Sequence, residues 1–251
     1  MLSGVEEEPE RIATVLRALP DLGLRAAYLR DFIGAGDDPA RARVLDALCA
    51  AAARAESAAR EPTLAVVMLL ASLGDDPVID RLGHAAAELG LSSLGRLLRR
   101  APELGRDPNA PPTPDYGAGR ELSLGERKFL ARRPTRAQFD RLLRDPHPTV
   151  IAHLLENPLL TENDVVRLAA RRPANPDALR AVSRTQWLCR PRVRMALIHN
   201  PGTPSSISIP LLGACTRPEL SAVRSSPDCS ASLRTVAEEL LVLRSAPPAE
   251  P

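Results

Sequence analysis

Prolines at positions 134, 158, 176, 201 and 227 cut the second half of this chain at intervals of 24, 18, 25 and 26 residues, and that punctuation limits the fold more than any other feature. Proline has no amide hydrogen and pushes the residue before it out of the helical region, so a helix arriving at such a point has to stop. Two of the segments match closely. PTVIAHLLENPLLTENDVVRLAA, residues 148–170, laid over PRVRMALIHNPGTPSSISIPLLG, residues 191–213, pairs Pro148 with Pro191, Val150 with Val193, Leu154 with Leu197, Asn157 with Asn200, Pro158 with Pro201 and Leu168 with Leu211, at a constant offset of 43. Weaker copies centre on Arg133-Pro134 and Ser226-Pro227, and a further Asn175-Pro176 lies between the two good ones.

Each part of this unit has a physical task. A valine four residues before a leucine forms a short apolar stripe on one helix. The Asn-Pro pair ends that helix, asparagine being suited to a corner because its side chain bonds nearby backbone groups. Thr161 with Asp164 three residues on reads as a capping box, and Thr203 before Pro204 as an N-cap before a first-position proline, so a second helix is expected to start at once. One such hairpin cannot bury its apolar edge alone, which predicts that neighbours stack into an α-solenoid with a continuous core.

The stretch VRMALIHNPGTP, followed by Leu211-Leu212, resembles the leucine-rich repeat variant family and, more distantly, HEAT and armadillo repeats; the resemblance covers about residues 125–242. It implies a right-handed stack of short helices that binds other macromolecules and has no activity of its own. The iron–sulfur cysteine cluster known from that family has no counterpart, since Cys49, Cys189, Cys215 and Cys229 are scattered with no CxxC pair. Pro210 also falls where the second helix should still be running, so that helix is expected to be kinked or cut short.

Composition agrees with an all-α fold. Aromatic residues are only 2% of the chain, so the core has to be built from leucine, valine, isoleucine and alanine, and leucine and alanine lead the helix scale. About six helices are expected in the first half. Ile12, Val15, Leu16 and Leu19 share one helical face, AVVMLL at 65–70 is apolar all round and should be central, and Asp38-Pro39 and Asp76-Pro77 read as helix starts. The predicted division is an N-terminal helical domain over 1–104, a proline- and glycine-rich linker over 105–121, a helical-repeat domain over 122–244 and a tail over 245–251. MLSGVEEEPE carries acids where a secretory leader has a basic region, and the longest apolar run, Leu64 to Ala71, falls short of the roughly 20 residues a bilayer needs. A cytoplasmic protein without a membrane span is expected.

The charge is uneven. Residues 1–120 carry a net −4 and residues 121–251 a net +6. In the basic half, Arg132, Arg133 and Arg136 surround one corner and Arg171, Arg172, Arg190, Arg192 and Arg194 surround later ones, which predicts a basic ridge where corners line up. Its ligand is expected to be another protein with an acidic surface; nucleic acid is the alternative, and a solvated arginine face is the rival to both. Trp187, the one tryptophan, fills the core between repeats with Leu188 or anchors a partner.

Chemistry finds little support. Lys128 is the sole lysine, in an exposed-looking stretch, and no GxSxG, HExxH or GxGxxG occurs. The histidines and cysteines show no ligand spacing, so no metal, cofactor or catalytic residue is predicted. A glycosylase built from Trp187, Asp177 and Arg180 is the least favoured reading, because enzymes that flip bases need several aromatic walls. The function expected is that of a non-catalytic scaffold or adaptor.

Overall fold

The computed structural model describes residues 3–34, 37–53, 60–102, 113–173 and 175–244. Among them there are fifteen α-helices, two 3-10 turns and no strand, which makes the protein all-α. Among the described residues no helix is long and apolar enough to cross a membrane. Contacts divide the chain into two compact units, Met1–Pro102 with Ser205–Pro251, and Glu103–Pro204. That is not the division expected from the proline-rich stretch. Residues 205–244, expected to continue the repeats, pack with the first hundred residues instead. Of the expected linker, 105–112 lies outside the described residues, as does the tail 245–251.

The first unit holds α1 (Ser3–Ala18), α2 (Leu22–Gly34), α3 (Asp38–Ala53), α4 (Arg60–Leu73), α5 (Pro77–Glu88) and α6 (Ser92–Leu97), and from the C-terminal segment α13 (Ser205–Leu211), α14 (Arg217–Ser225) and α15 (Ala231–Leu243). The six expected helices of the first half are α1–α6. Residues 65–71 of α4 are all buried, as an all-round apolar helix has to be, and α4 is packed by α1, α2, α3, α13 and the 3-10 turn Leu212–Ala214. α13 contains Pro210 and ends at Leu211, after which the chain tightens into that turn. Gly213 sits so close to the core that a Cβ there would lie 2.8 Å from Val67 Cγ2 and 3.2 Å from Leu97 Cδ1. Glu239 of α15 accepts from Arg96 and Arg99 at 2.9 Å each, tying α15 to the end of α6. Asp76 caps α5 through the Val78 amide with Pro77 at the first position, whereas Asp38 lies inside the first turn of α3 and pairs with Arg81 at 3.1 Å.

The second unit is built from α7 (Leu124–Arg132), α8 (Arg136–Leu142), α9 (Pro148–Leu155), α10 (Glu162–Ala169), α11 (Pro176–Ser183), a 3-10 turn (Gln186–Cys189) and α12 (Pro191–His199). Helices of seven to nine residues are well below the roughly 12–15 that hold together alone in water. They stand because each leans on the helix two along. α7 packs on α9 and α9 on α11, while α10 packs on α12. Bonds between ends show that these neighbours run parallel. Start meets start where Asn175 Nδ2 donates to Pro146 O and where Arg192 donates to Asn163 Oδ1 at 2.7 Å; end meets end where Asn157 Nδ2 donates to Arg132 O at 3.3 Å and Asn200 Nδ2 to Ala169 O at 2.7 Å. α8 joins the second row through Arg136, which donates to Asp164 at the start of α10, and through Leu143 O, which accepts from Arg171 at its end. The unit is therefore two rows, α7–α9–α11 and α8–α10–α12, and Val150, Leu154, Val193 and Leu197 are fully buried within it.

This arrangement changes the register read from the sequence. The offset of 43 overlays α9 on α12, yet α9 belongs to one row and α12 to the other. What the two copies share is local. Asn157 and Asn200 each follow a short helix, accept from an amide two residues on (Leu159, 2.9 Å; Gly202, 3.0 Å), and donate to carbonyls at the end of the preceding helix in their own row. The Thr161–Asp164 capping box is present. Thr203 is different: its buried hydroxyl has no hydrogen-bond partner and α13 starts only at Ser205, so it does not act as the expected cap.

Asn200, only 2% exposed, also donates to Arg171 O at 2.9 Å, so Asn200→Ala strands two carbonyls and is expected to cost about 2–4 kcal/mol in urea denaturation. Asn200→Asp, which keeps the turn but aims a carboxylate at those carbonyls, should cost more than alanine; if it costs less, the staple is not what holds the row. Gly213→Ala should destabilise by about 1–3 kcal/mol in the same assay, because the new methyl has to displace Val67.

Candidate functional site

The corners of the second unit fall into two sets. At 133–135, 156–161 and 184–190 a helix of the first row passes to one of the second. At 143–147 and 170–175 the chain returns, and 200–203 follows the last helix of the second row. The eight residues of α10 hold the sets about 12 Å apart at 1.5 Å per residue. The nine candidate residues do not share one ridge: Arg132, Arg133, Arg136, Trp187, Arg190, Arg192 and Arg194 belong to the first set, and Arg171 and Arg172 to the second.

Most of their head groups are engaged within the unit. Arg136 grips Asp164 through both nitrogens at 2.8 and 3.1 Å and lies 5.0 Å from the Phe139 ring centre. Burial pushes the Asp164 carboxyl up, but the bonds from Arg136 and Thr161 outweigh it and hold the group below the usual carboxylate value. Arg194 donates to Leu188 O and Cys189 O at 3.0 and 2.8 Å, and Arg172 to His199 O at 2.9 Å. Arg171 is half-buried, donates to Leu143 O, and is pulled below its ordinary value by burial and then by the neighbouring Arg144. Trp187 is half-buried and gives its indole N–H to Leu155 O at 3.1 Å, tying its corner to the end of α9, while Leu188 is buried. Tryptophan here holds two corners together.

Four arginines of the first set keep their charge. Arg132 meets His153 Nε2 at 3.2 Å and Arg192 meets the neutral amide of Asn163. Arg133 and Arg190 are exposed, and among the described residues none of the four is paired with a carboxylate. Neutral acceptors aim a guanidinium without cancelling it, so this edge is a row of positioned positive charge. Glu156 and Glu162 lie at its middle corner.

Sequence reasoning did not find what lies at the first corner. Phe129 of α7 is 66% exposed, and beside it is a groove of about 550 Å³ lined by Tyr116, Leu122, Phe129, Leu130 and Gln138. One wall comes from the segment expected to be linker. Tyr116 is buried, its hydroxyl donates to Asp145, and its carbonyl accepts from Arg141 at 2.7 Å. Burial and then the bond to Asp145 raise the phenol well above its ordinary value, while Arg127 meets both Asp145 oxygens at 2.8 and 2.7 Å. Glu126 on the groove wall is held by Arg120 and then by Ser123, which depress its carboxyl to about 2. Leu159 at the middle corner is 61% exposed.

Among the described residues there is no group of three or more His, Cys, Asp or Glu placed to hold a metal ion. Asp177 pairs with Arg180 on its own helix at 3.2 Å, and the buried Cys49 has its thiol raised to about 12 by burial and then by Asp46. No family model matches the chain, and no curated protein or solved structure matches it.

Glu126, Asp164 and Glu239 all have carboxyl groups depressed in the folded state, for Glu239 first by Arg99. Their contribution is complete above the unfolded values and is lost as acid protonates the folded groups. Stability in urea should therefore fall as pH drops from about 4.5 towards about 2, the window set by Glu126. In Arg136→Gln the slope should be shallower; an unchanged slope would show that the Arg136–Asp164 pair does not contribute.

Proposed function

We propose that this protein is a non-catalytic scaffold or adaptor that grips another protein along the basic edge formed by the corners at 133–135, 156–161 and 184–190. The observation that carries the reading is that Arg132, Arg133, Arg190 and Arg192 stand on one edge without carboxylate partners, two of them aimed by neutral acceptors. Side chains already held lose less freedom on binding, so the same contacts yield more affinity. The two rows of short parallel helices support reading residues 124–199 as a helical-repeat stack of the kind the leucine-rich repeat variant and HEAT–armadillo resemblance implies, a form that presents an extended surface. An acidic protein surface is the ligand that matches the charge.

Nucleic acid competes for the same charge. It is the weaker reading because Trp187 spends its N–H on Leu155 O and is half-buried, which among the described residues leaves Phe129 as a single exposed ring beside the edge, whereas stacking along a strand uses a succession of aromatic rings. Reversing Arg133 and Arg190 to glutamate, both being exposed, should leave the thermal midpoint within about 2 °C. The same change should weaken capture of an acidic model protein by at least about tenfold at 150 mM salt. If the double variant binds as the parent does, the edge is not the binding surface. A steeper salt dependence for a duplex DNA probe, with tighter binding than any acidic protein at 150 mM salt, would assign the edge to nucleic acid.

A further inference from the structure

The groove at the first corner and the basic edge meet at α7. Phe129, Arg132 and Arg133 stand at i, i+3 and i+4 of that helix and its cap, so they lie on one helical face. Gln138, on the groove wall, accepts from the Thr135 amide at 2.8 Å and thereby fixes the corner between them. The groove is dry-walled on one side by Leu122, Phe129 and Leu130, and its acid, Glu126, is already neutralised by Arg120. A volume of about 550 Å³ is in the range that takes one or two large side chains. An exposed phenylalanine beside a groove with leucines on one wall, next to uncancelled arginines, suits an aromatic or aliphatic anchor flanked by charge, aromatic rings and arginine being enriched among the residues that carry binding energy.

We infer that groove and edge form one continuous track for an extended acidic segment of a partner protein, with a large apolar side chain seated against Phe129 and carboxylates carried past Arg132 and Arg133 to Arg190 and Arg192. This rests on the reading of the edge as a protein-binding surface. Its length follows from geometry. Packed helices lie about 8–10 Å apart, so two steps along the row span about 16–20 Å, which an extended chain at about 3.3–3.6 Å per residue crosses in five or six residues. The segment therefore has its apolar anchor at one end, acids immediately beside it for Arg132 and Arg133, and further acids five or six residues away for Arg190 and Arg192. Leu159, exposed midway, gives the centre of the segment an apolar contact.

Fluorescence anisotropy of labelled synthetic decapeptides against the full chain at 150 mM salt tests this. The peptides are one with a tryptophan followed by acids, the same with tryptophan replaced by glycine, the same with every acid replaced by serine, and one with its second group of acids moved next to the first. The first should bind at least about tenfold more tightly than each of the others. Phe129→Ala, a change at an exposed site, should erase the advantage of the tryptophan while leaving the acid-only peptide unaffected. Arg190→Glu should erase the advantage of the distant acids. If the acid-only peptide binds as well as the anchored one, and Phe129→Ala changes nothing, the groove is not part of the track although the basic edge stands. If the serine peptide binds as well as the acidic one, the edge reading fails and the groove is a separate apolar site. If none of the four binds, or an RNA decamer outcompetes all of them, both are overturned.

Discussion

An asparagine amide at the end of one short helix, given to carbonyls at the end of the helix before it in the same row, is the interaction on which the second unit depends. The last carbonyls of a helix have no partner of their own, and leaving them dry and unbonded is costly. With seven- to nine-residue helices, half of the backbone carbonyls are in that position, so the unit has to supply donors from elsewhere. Asn157 and Asn200 supply them from the next helix of the row, Trp187 does so for Leu155, and Arg171 for Leu143. The same bonds set the parallel direction and the register of each row. One chemical need thus explains the short helices, the corners and the stacking order together.

That logic also marks the border between what the residues foretell and what they cannot. Asparagine before proline foretells a break between helices, which Asn157 and Asn200 deliver as a turn after a helix, whereas Asn175 caps the start of α11 with Pro176 at its first position. Which neighbour the freed amide reaches is decided by a residue some 25 to 31 positions away and leaves no local mark. Hence the offset of 43 is real at the level of the corner and misleading at the level of the row. The fate of residues 205–244 has the same cause. Ser226-Pro227 carries the punctuation of a repeat, but the segment buries Ile207, Ile209 and Leu211 in the unit built around α4, where the glycine at 213 gives the room that Val67 and Leu97 require.

The candidate site was legible in its charges and not in their use. Arginines at corners can be counted from the sequence, but only the acceptor decides whether a guanidinium is cancelled, as Arg136 is by Asp164, or merely pointed, as Arg192 is by Asn163. For Trp187 the sequence allows both a core role and a partner-anchoring one, and its indole N–H turns inward to Leu155 O. Phe129 gave no signal because RKFLAR is apolar at 129, 130 and 131 in succession. In that run the partner helix α9 chooses Ala131 as the buried face and so leaves the phenylalanine outside. Tyr116 was hidden by its neighbours: a stretch rich in proline and glycine reads as linker, yet one aromatic ring with a hydroxyl aimed at the Arg127–Asp145 pair pins its end to the unit.

The arginines do two tasks that pull against each other. A guanidinium that staples corners is worth most when its partner is a carboxylate or a buried carbonyl, and such an arginine has little left to offer a ligand. One that recruits a partner has to remain charged and reachable. Along this edge the two tasks are separated by residue, with Arg136 and Arg194 holding the frame and Arg133 and Arg190 left outward. Arg132 and Arg192 lie between, because histidine and asparagine fix their geometry without taking their charge. A helical stack that must keep its own corners closed can still present a positive face only if some of its staples are neutral. In that sense the choice of asparagine over aspartate at 163 matters as much to the proposed surface as the arginine opposite it.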